Sequence, residues 1–364
     1  MERIPEIDGL RALAALSVFA YHDFGYAAIV RFTQAGWIGV DLFFVISGYL
    51  ITTILLGMRD APGYFKNFYM RRTLRIFPPY YLFFLICFSC ALLIREYQFS
   101  GRLWLAFALY GTSLIAMQSW YPGAVSRLPG PVRAIEVTWS LSIEELFYLL
   151  WAPAVRFLNR RQLVVLVLAI IVFAPVLRWN VHMPGERSEY YFFPARMDTL
   201  AFGALLALWR SSRLNFAIPG WSVSISLMAS ASALLLIDDP QRNKLFAIFG
   251  YTLIAATMML ILAFVLDRAA SNNLICRALR SGLLVRIGTV SYMFYLLHLF
   301  VIRAFRDWVP TLPPSYWVLN RSLQLLGSLV VTLALAALSW KYFESPILRL
   351  KSRFGNERTP REVH

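Results

Sequence analysis

The sequence predicts an all-α, polytopic transmembrane helical bundle, and three observations carry that expectation. Hydrophobic residues make up 59% of the 364-residue chain and charged residues only 15%. Mean hydropathy is +0.59, well above the globular range. Apolar stretches of about 18 to 23 residues recur along the whole length, each long enough to cross roughly 30 Å of hydrocarbon as a helix. Residues 1–348 are therefore expected to form one transmembrane domain, and 349–364 a basic cytoplasmic tail.

Ten spans are expected, at residues 9–29, 37–57, 76–94, 139–158, 162–179, 194–210, 220–237, 245–266, 284–305 and 319–340. The opening MERIPEIDGLR is acidic and has no short cleavable apolar region behind a basic tip, so the first span is expected to be its own insertion signal. The segment 103–117 is apolar but short, and counting it as a crossing would put the chain ends on opposite sides. The positive-inside rule decides between the two topologies. With a cytoplasmic N-terminus, residues 58–75 present Arg59, Lys66, Arg71, Arg72 and Arg75 to the cytoplasm. If 103–117 does not cross, Arg156, Arg160, Arg161, Arg210, Arg213, Arg268, Arg277 and Arg280 join them. So do Lys341, Arg349, Lys351, Arg353, Arg358 and Arg361 near the C-terminus; if it crosses, all of these move outside. Ten crossings with both termini cytoplasmic, and 103–117 as a re-entrant or interfacial helix, follow as the expectation.

The same placement accounts for the net charge of +15 without a nucleic-acid partner. Cys87, Cys90 and Cys276 sit in or beside apolar segments with no zinc or disulfide pattern, and are read as packing residues. The four histidines, His22, His182, His298 and His364, are scattered, so no metal site is expected. The segments placed outside, 95–138 and 180–193, carry Trp120, Tyr121, Tyr190, Tyr191, Phe192 and Phe193. An interfacial aromatic belt is the first reading of these rings, and stacking on sugars the second.

Ionisable residues inside spans each cost about 2.5 to 3.5 kcal/mol on insertion scales and demand an account. Arg11 and His22 are separated by about 16 Å of helical rise, close to three full turns, so they share a face. Asp41 and Ser47 follow in GWIGVDLFFVISGYLI, where Asp41 is placed at the depth of His22 and is the preferred carboxylate to orient its ring. Glycines 36, 39 and 48 there permit close helix contact instead. Arg71, Arg72 and Arg75 lie within about one and a half turns and suit bidentate phosphate binding, with orientation charge or lipid headgroups as the plain alternative. Glu144 and Glu145 in WSLSIEELFY, Arg196 and Asp198 in PARMDTL, His298 in SYMFYLLH and Glu344 in WKYFESP complete the set. Singly each reads as a helix-packing contact. Together His22, Asp41, Glu144, Arg196, Asp198 and His298 are expected in the outer half.

These motifs resemble the membrane acyltransferase-3 family of bacterial O-acyltransferases, which act on O-antigen, exopolysaccharide, nodulation factors or macrolides. The family's arginine and histidine, with ten residues between them, read here as Arg11 and His22 in IDGLRALAALSVFAYH. GWIGVDLFFVISGYLI, RRTLRIFPPYYL, WSLSIEELFY, RMDTL and SYMFYLLH follow in order, so the likeness runs from about residue 5 to about 348. It implies a multi-pass protein of the bacterial inner membrane. It also implies acyl-CoA, with acetyl-CoA as the expected co-substrate, and the hydroxyl of a sugar, glycan or lipid-linked saccharide as acceptor. By position it implies His22 as catalytic base, Arg11 supporting the site or donor, and Arg71 with Arg75 engaging the donor; Arg72 is grouped with them. Asp41 or Glu144 would support His22, while Ser47, Arg196, Asp198 and His298 would serve the acceptor or support the site. Some members carry a hydrolase-like domain after the membrane part; none is expected here, since about two dozen residues follow the last span.

Arg11 is too distant from His22 to stabilise the oxyanion that His22 helps to create, so it is expected to guide the donor. Membrane lipids are expected partners, and a homo-oligomer is compatible with the sequence. A transporter or flippase, with paired charges lining a path, is the rival function, and a receptor or assembly protein without chemistry is the third.

Overall fold

The computed structural model describes residues 3–24, 31–94, 100–118, 120–128, 130–182, 188–212, 217–237, 243–269, 271–309 and 313–354. Among these residues regular structure is entirely helical. Arg213, Arg358, Arg361, His364 and most of the expected tail lie outside the described residues.

Ten helices of 17 residues or more dominate. They are α1 (Pro5–Phe24), α2 (Gly39–Gly57), α3 (Tyr64–Leu93), α4 (Trp139–Phe157), α5 (Arg160–Val181), α6 (Phe193–Arg210), α7 (Gly220–Leu236), α8 (Tyr251–Asp267), α9 (Gly282–Trp308) and α10 (Trp317–Ser339). Their starts are set locally where capping chemistry is present. Asn159 accepts from Gln162 N at 3.0 Å while the Gln162 side chain accepts from Asn159 N at 2.9 Å, a reciprocal box that opens α5 at Arg160.

Six helical stretches are long and apolar enough to cross a membrane: Gly36–Gly57, Tyr64–Leu93, Arg160–Val181, Phe246–Asp267, Gly282–Trp308 and Trp317–Ser352. The chain is a multi-pass membrane protein by this measure. Helices α1, α4 and α6, with 20, 19 and 18 residues, are of comparable length but carry more charge. That charge is tolerated because these three helices lie inside the bundle, where protein rather than lipid meets it. By contrast, only 17% of the most apolar windows of Arg160–Val181 and Trp317–Ser352 is buried, against 72% for α9. The exposed leucines and valines of α5 and α10 form the apolar perimeter.

Two expected boundaries differ. Helix α3 begins twelve residues before the expected span at 76, because Tyr64 and Phe68 bury an apolar stripe while Arg71 and Arg75 stay exposed. The three arginines therefore stand on a helix, and Pro78 and Pro79 lie within it. The segment 103–117 is not one helix: Gly101–Ala108 and Thr112–Ile115 are separated by a turn in which Tyr110 adopts φ 54°. Eight residues rise about 12 Å, short of a crossing.

Close packing positions the polar helices. Helices α2 and α6 run parallel, with Asp41 against Arg196 and Gly48 against Leu200. A Cβ on Gly48 would fall 2.0 Å from Leu200 O, and one on Gly203 2.1 Å from Val45 O, so larger side chains would force the two backbones apart. Helices α1 and α9 are likewise parallel, from Asp8 against Gly288 to His22 against His298. Helix α4 follows α2 through Phe44–Trp139, Ser47–Glu144 and Thr52–Trp151 contacts. Helix α3 crosses α4 in the opposite sense, Tyr64 donating to Ala152 O and Tyr69 to Leu149 O.

Candidate functional site

A cavity of about 450 Å³ opens between α1, α2, α3, α4 and α9. Arg11 of α1 and Arg72 and Arg75 of α3 line it, together with Ser47 of α2, Glu144 of α4 and Tyr295 of α9. Arg72 and Arg75 are three residues apart, about 60° around the helix, and Arg71 lies about 40° beyond Arg75 on the side away from Arg72. Arg71 is exposed and lies outside the lining. Ser47 Oγ donates to Glu144 Oε1 at 2.6 Å. Arg72 lies over the Tyr148 ring at 5.4 Å. Arg3 also lines the cavity, but its charge is matched: Nε is 2.6 Å from Asp8 Oδ2, and Nη2 donates to Thr289 at 2.6 Å. Arg11 and Arg75 make no ion pair or hydrogen bond with described residues.

At the other end of α1, His22 meets His298 of α9. His22 Nδ1 is 3.0 Å from His298 Nε2 and 3.0 Å from Val18 O, one turn back. His298 Nδ1 is 2.5 Å from Tyr295 O. Tyr295 thus joins this pair to the cavity, and its hydroxyl is 2.8 Å from Ser140 Oγ. The end of α1 is fixed by Arg306, which donates to His22 O at 3.1 Å and to Asp23 O at 2.8 Å, and by Arg321, which also donates to Asp23 O. These carbonyls have no partner within the helix, and cations suit the negative end of its dipole.

Asp41 and Glu144, the carboxylates expected beside His22, both have other partners. Asp41 is paired with Arg196 at 2.5 Å, both fully buried. The cause is electrostatic: a carboxylate without solvent takes the nearest guanidinium, and α6 delivers one through the Gly48–Gly203 contact. Glu144 faces the cavity and its arginines, and the neighbour His22 does have is His298. Asp198 is paired with Arg178 at 2.9 Å. Arg178 also donates to Ala195 O at 2.5 Å and Ile248 O at 3.0 Å, while Thr252 donates to Asp198 at 2.7 Å. Arg196 lies between the faces of Tyr190 and Tyr251, at 4.8 and 4.6 Å. Tyr190 and Phe193 are accordingly buried, and neither presents its ring outside the bundle as a belt or a sugar platform would require.

The expected outer set is therefore divided three ways: His22 with His298, Asp41 with Arg196 and Asp198, and Glu144 with Arg11, Arg72 and Arg75. Sequence reasoning missed Arg178, although an arginine ending an apolar run carried the same warning as Arg11. It also missed Asp23, Arg306 and Arg321, whose meeting depends on three separate helices.

The family model described as "Acyltransferase domain", that of the acyltransferase-3 family, matches residues 4–341. The chain belongs to the acyltransferase-3 family. It is 29% identical to a peptidoglycan O-acetyltransferase of Listeria monocytogenes over 94% of this chain and 56% of that protein. It is 31% identical to a Bacillus subtilis protein provisionally named for the same activity, over 94% and 55%. A Staphylococcus aureus protein provisionally named an O-acetyltransferase is 28% identical over 95% and 57%. The chain thus spans a little over half the length of the curated relatives it matches. No solved structure matches it. The acyltransferase-3 assignment covers both the cavity and the His22–His298 pair.

Proposed function

We propose that this chain is a membrane O-acyltransferase that moves an acyl group, acetyl in the first instance, from acyl-CoA to a hydroxyl of a cell-wall glycan. The observation that carries this reading is the charge of the cavity. Among the lining residues four guanidiniums, from Arg3, Arg11, Arg72 and Arg75, face two carboxylates, Asp8 and Glu144, an excess of two positive charges at the cavity wall, with the carboxylates of Glu145 near Arg72 and of Glu344 near Arg11 and Arg75 set behind it. Such an excess in a partly buried cleft favours a polyanion, and the phosphates of CoA have the required charge. The relatives supply the acceptor class, since their names specify O-acetyl transfer and, in two cases, peptidoglycan.

In this reading Arg11, Arg72 and Arg75 hold the donor's phosphates at the cytoplasmic end, and the pantetheine arm runs along α1 toward His22. His22 Nε2 takes the proton of the acceptor hydroxyl while the oxygen attacks the thioester carbonyl carbon. The C–S bond breaks, the CoA thiolate leaves, and the proton passes from His22 to that thiolate. An ester and free CoA result, and the imidazole is neutral again. The inner membrane of a bacterium is the compartment in which such a donor and acceptor meet.

The test is purified protein in lipid vesicles with acetyl-labelled acetyl-CoA and peptidoglycan fragments. Covalent label on the glycan is expected, and His22→Ala should lower its rate about 10²- to 10⁴-fold while leaving the protein folded in the membrane. Label accumulating inside vesicles without a new ester would establish transport instead, and full activity of His22→Ala would remove the base assignment.

A further inference from the structure

The arrangement around His22 identifies a role for a second histidine. We propose that His298 is the positioning residue for His22: its Nε2 accepts the His22 Nδ1–H hydrogen bond, orients the ring and stabilises the imidazolium that forms during transfer. The proposal rests on His22 being the base.

The proton positions follow from three contacts. A carbonyl oxygen only accepts, so the 2.5 Å contact to Tyr295 O places the His298 proton on Nδ1. In the neutral ring Nε2 is then an acceptor. His22 Nδ1 faces that nitrogen and Val18 O, both at 3.0 Å, and both are acceptors. Its proton must therefore be on Nδ1, shared between them. His22 Nε2 is left with a bare lone pair, the state a general base requires. The reverse assignment would turn the His22 Nδ1 lone pair on Val18 O and require a fully buried imidazolium at His298, with Arg303 and Arg306 on the same helix.

The surroundings hold His298 still. Its ring lies near-parallel to Phe294, 12° apart at 6.4 Å between centroids, and its side chain has no exposure. Tyr295, whose carbonyl fixes the tautomer, is anchored by its hydroxyl to Ser140 and by Val137 O at 3.2 Å. When His22 takes a proton on Nε2, the Nδ1–H bond to His298 becomes charge-assisted and strengthens. A neutral acceptor here does what a carboxylate does in other base-orienting pairs, without adding a buried negative charge.

Two measurements test this. Nitrogen-15 spectroscopy of histidine-labelled protein in bilayers, with His22→Asn and His298→Asn used to assign signals, is expected to show protonated Nδ1 and bare Nε2 on both rings. A protonated His22 Nε2 in the native protein would overturn the proposal. In the transfer assay, His298→Phe keeps a flat ring without an acceptor. It should lower kcat about tenfold to a hundredfold with donor KM unchanged. His298→Gln, which offers an amide oxygen, should restore part of that loss. Unchanged kcat in His298→Phe, or equal loss in both variants, would sink the positioning role while leaving the base reading intact. Full activity of His22→Ala would instead remove the base reading itself.

Discussion

Around Asp198 each charge has a counter-charge in reach, whereas in the cavity beside Glu144 positive charge is in excess. Arg178, Arg196, Asp41 and Asp198 balance two against two with no exposure, and Thr252 Oγ1 and two backbone carbonyls accept from the remaining donors of Arg178. In the cavity Arg11 and Arg75 make no ion pair or hydrogen bond with described residues. Both groups looked alike in sequence, as expensive ions in apolar segments. The difference lies in charge balance: the buried cluster neutralises itself, although Arg196 Nε and Nη1 and Asp41 Oδ2 have no hydrogen-bond partner among the described residues, and so fixes helix positions, while an unbalanced group is completed by something that enters.

The sharpest way to break this contrast is to remove one matched charge. Arg178→Ala strands Asp198 in the core and should cost about 3 to 5 kcal/mol. Thermal unfolding of the detergent-solubilised protein should show that loss, while activity per folded molecule stays near native. The double variant Arg178→Met with Asp198→Leu should recover most of it, because no uncompensated ion remains. A large activity loss in the double variant would place this cluster in the site after all. Removing an unmatched charge should do the opposite. Arg75→Ala should leave stability within about 0.5 kcal/mol and raise the donor KM about tenfold to a hundredfold, as expected for one lost hydrogen-bonded contact to a phosphate. If acceptor KM moved instead, the cavity would be an acceptor site.

How much of this was legible in the sequence divides along the same line. The apolar period gave α2, α5, α8, α9 and α10 to within a few residues, since a long run of leucine, valine and isoleucine admits few other structures. The polar helices α1, α4 and α6 were legible through the cost of their charges, which pointed to an interior position. The start of α3 was not, because its first three turns are amphipathic and read as a basic loop. Pairing was hidden for a different reason. Spacing within a helix shows that Arg11 and His22 share a face, or that Arg72 and Arg75 do, but not which helix that face meets. His22 and His298 are 276 residues apart, and Asp41 and Arg196 are 155 apart. Only the parallel packing of α1 on α9 and of α2 on α6 brings them together, and it depends on close backbone approaches whose partners one chain does not name.

The smallest effect discriminates most finely. Ser47 and Ser142 both place a hydroxyl near the head of α4, but in different company. Ser142 bonds Ser113 Oγ at 2.6 Å and Tyr110 O, deep in the core, whereas Ser47 holds the carboxylate that faces the cavity arginines. Each hydrogen bond is worth about 1 kcal/mol net. Ser142→Ala should spend that in stability alone, lowering the melting temperature with no change in donor KM. Ser47→Ala frees Glu144 to turn toward Arg11 or Arg75 and compete with an incoming phosphate, so donor KM should rise severalfold, by about the same 1 kcal/mol, with little change in melting. Should Ser47→Ala behave like Ser142→Ala, Glu144 would belong with the matched ions that build the bundle, and the excess charge of the cavity would rest on the arginines alone.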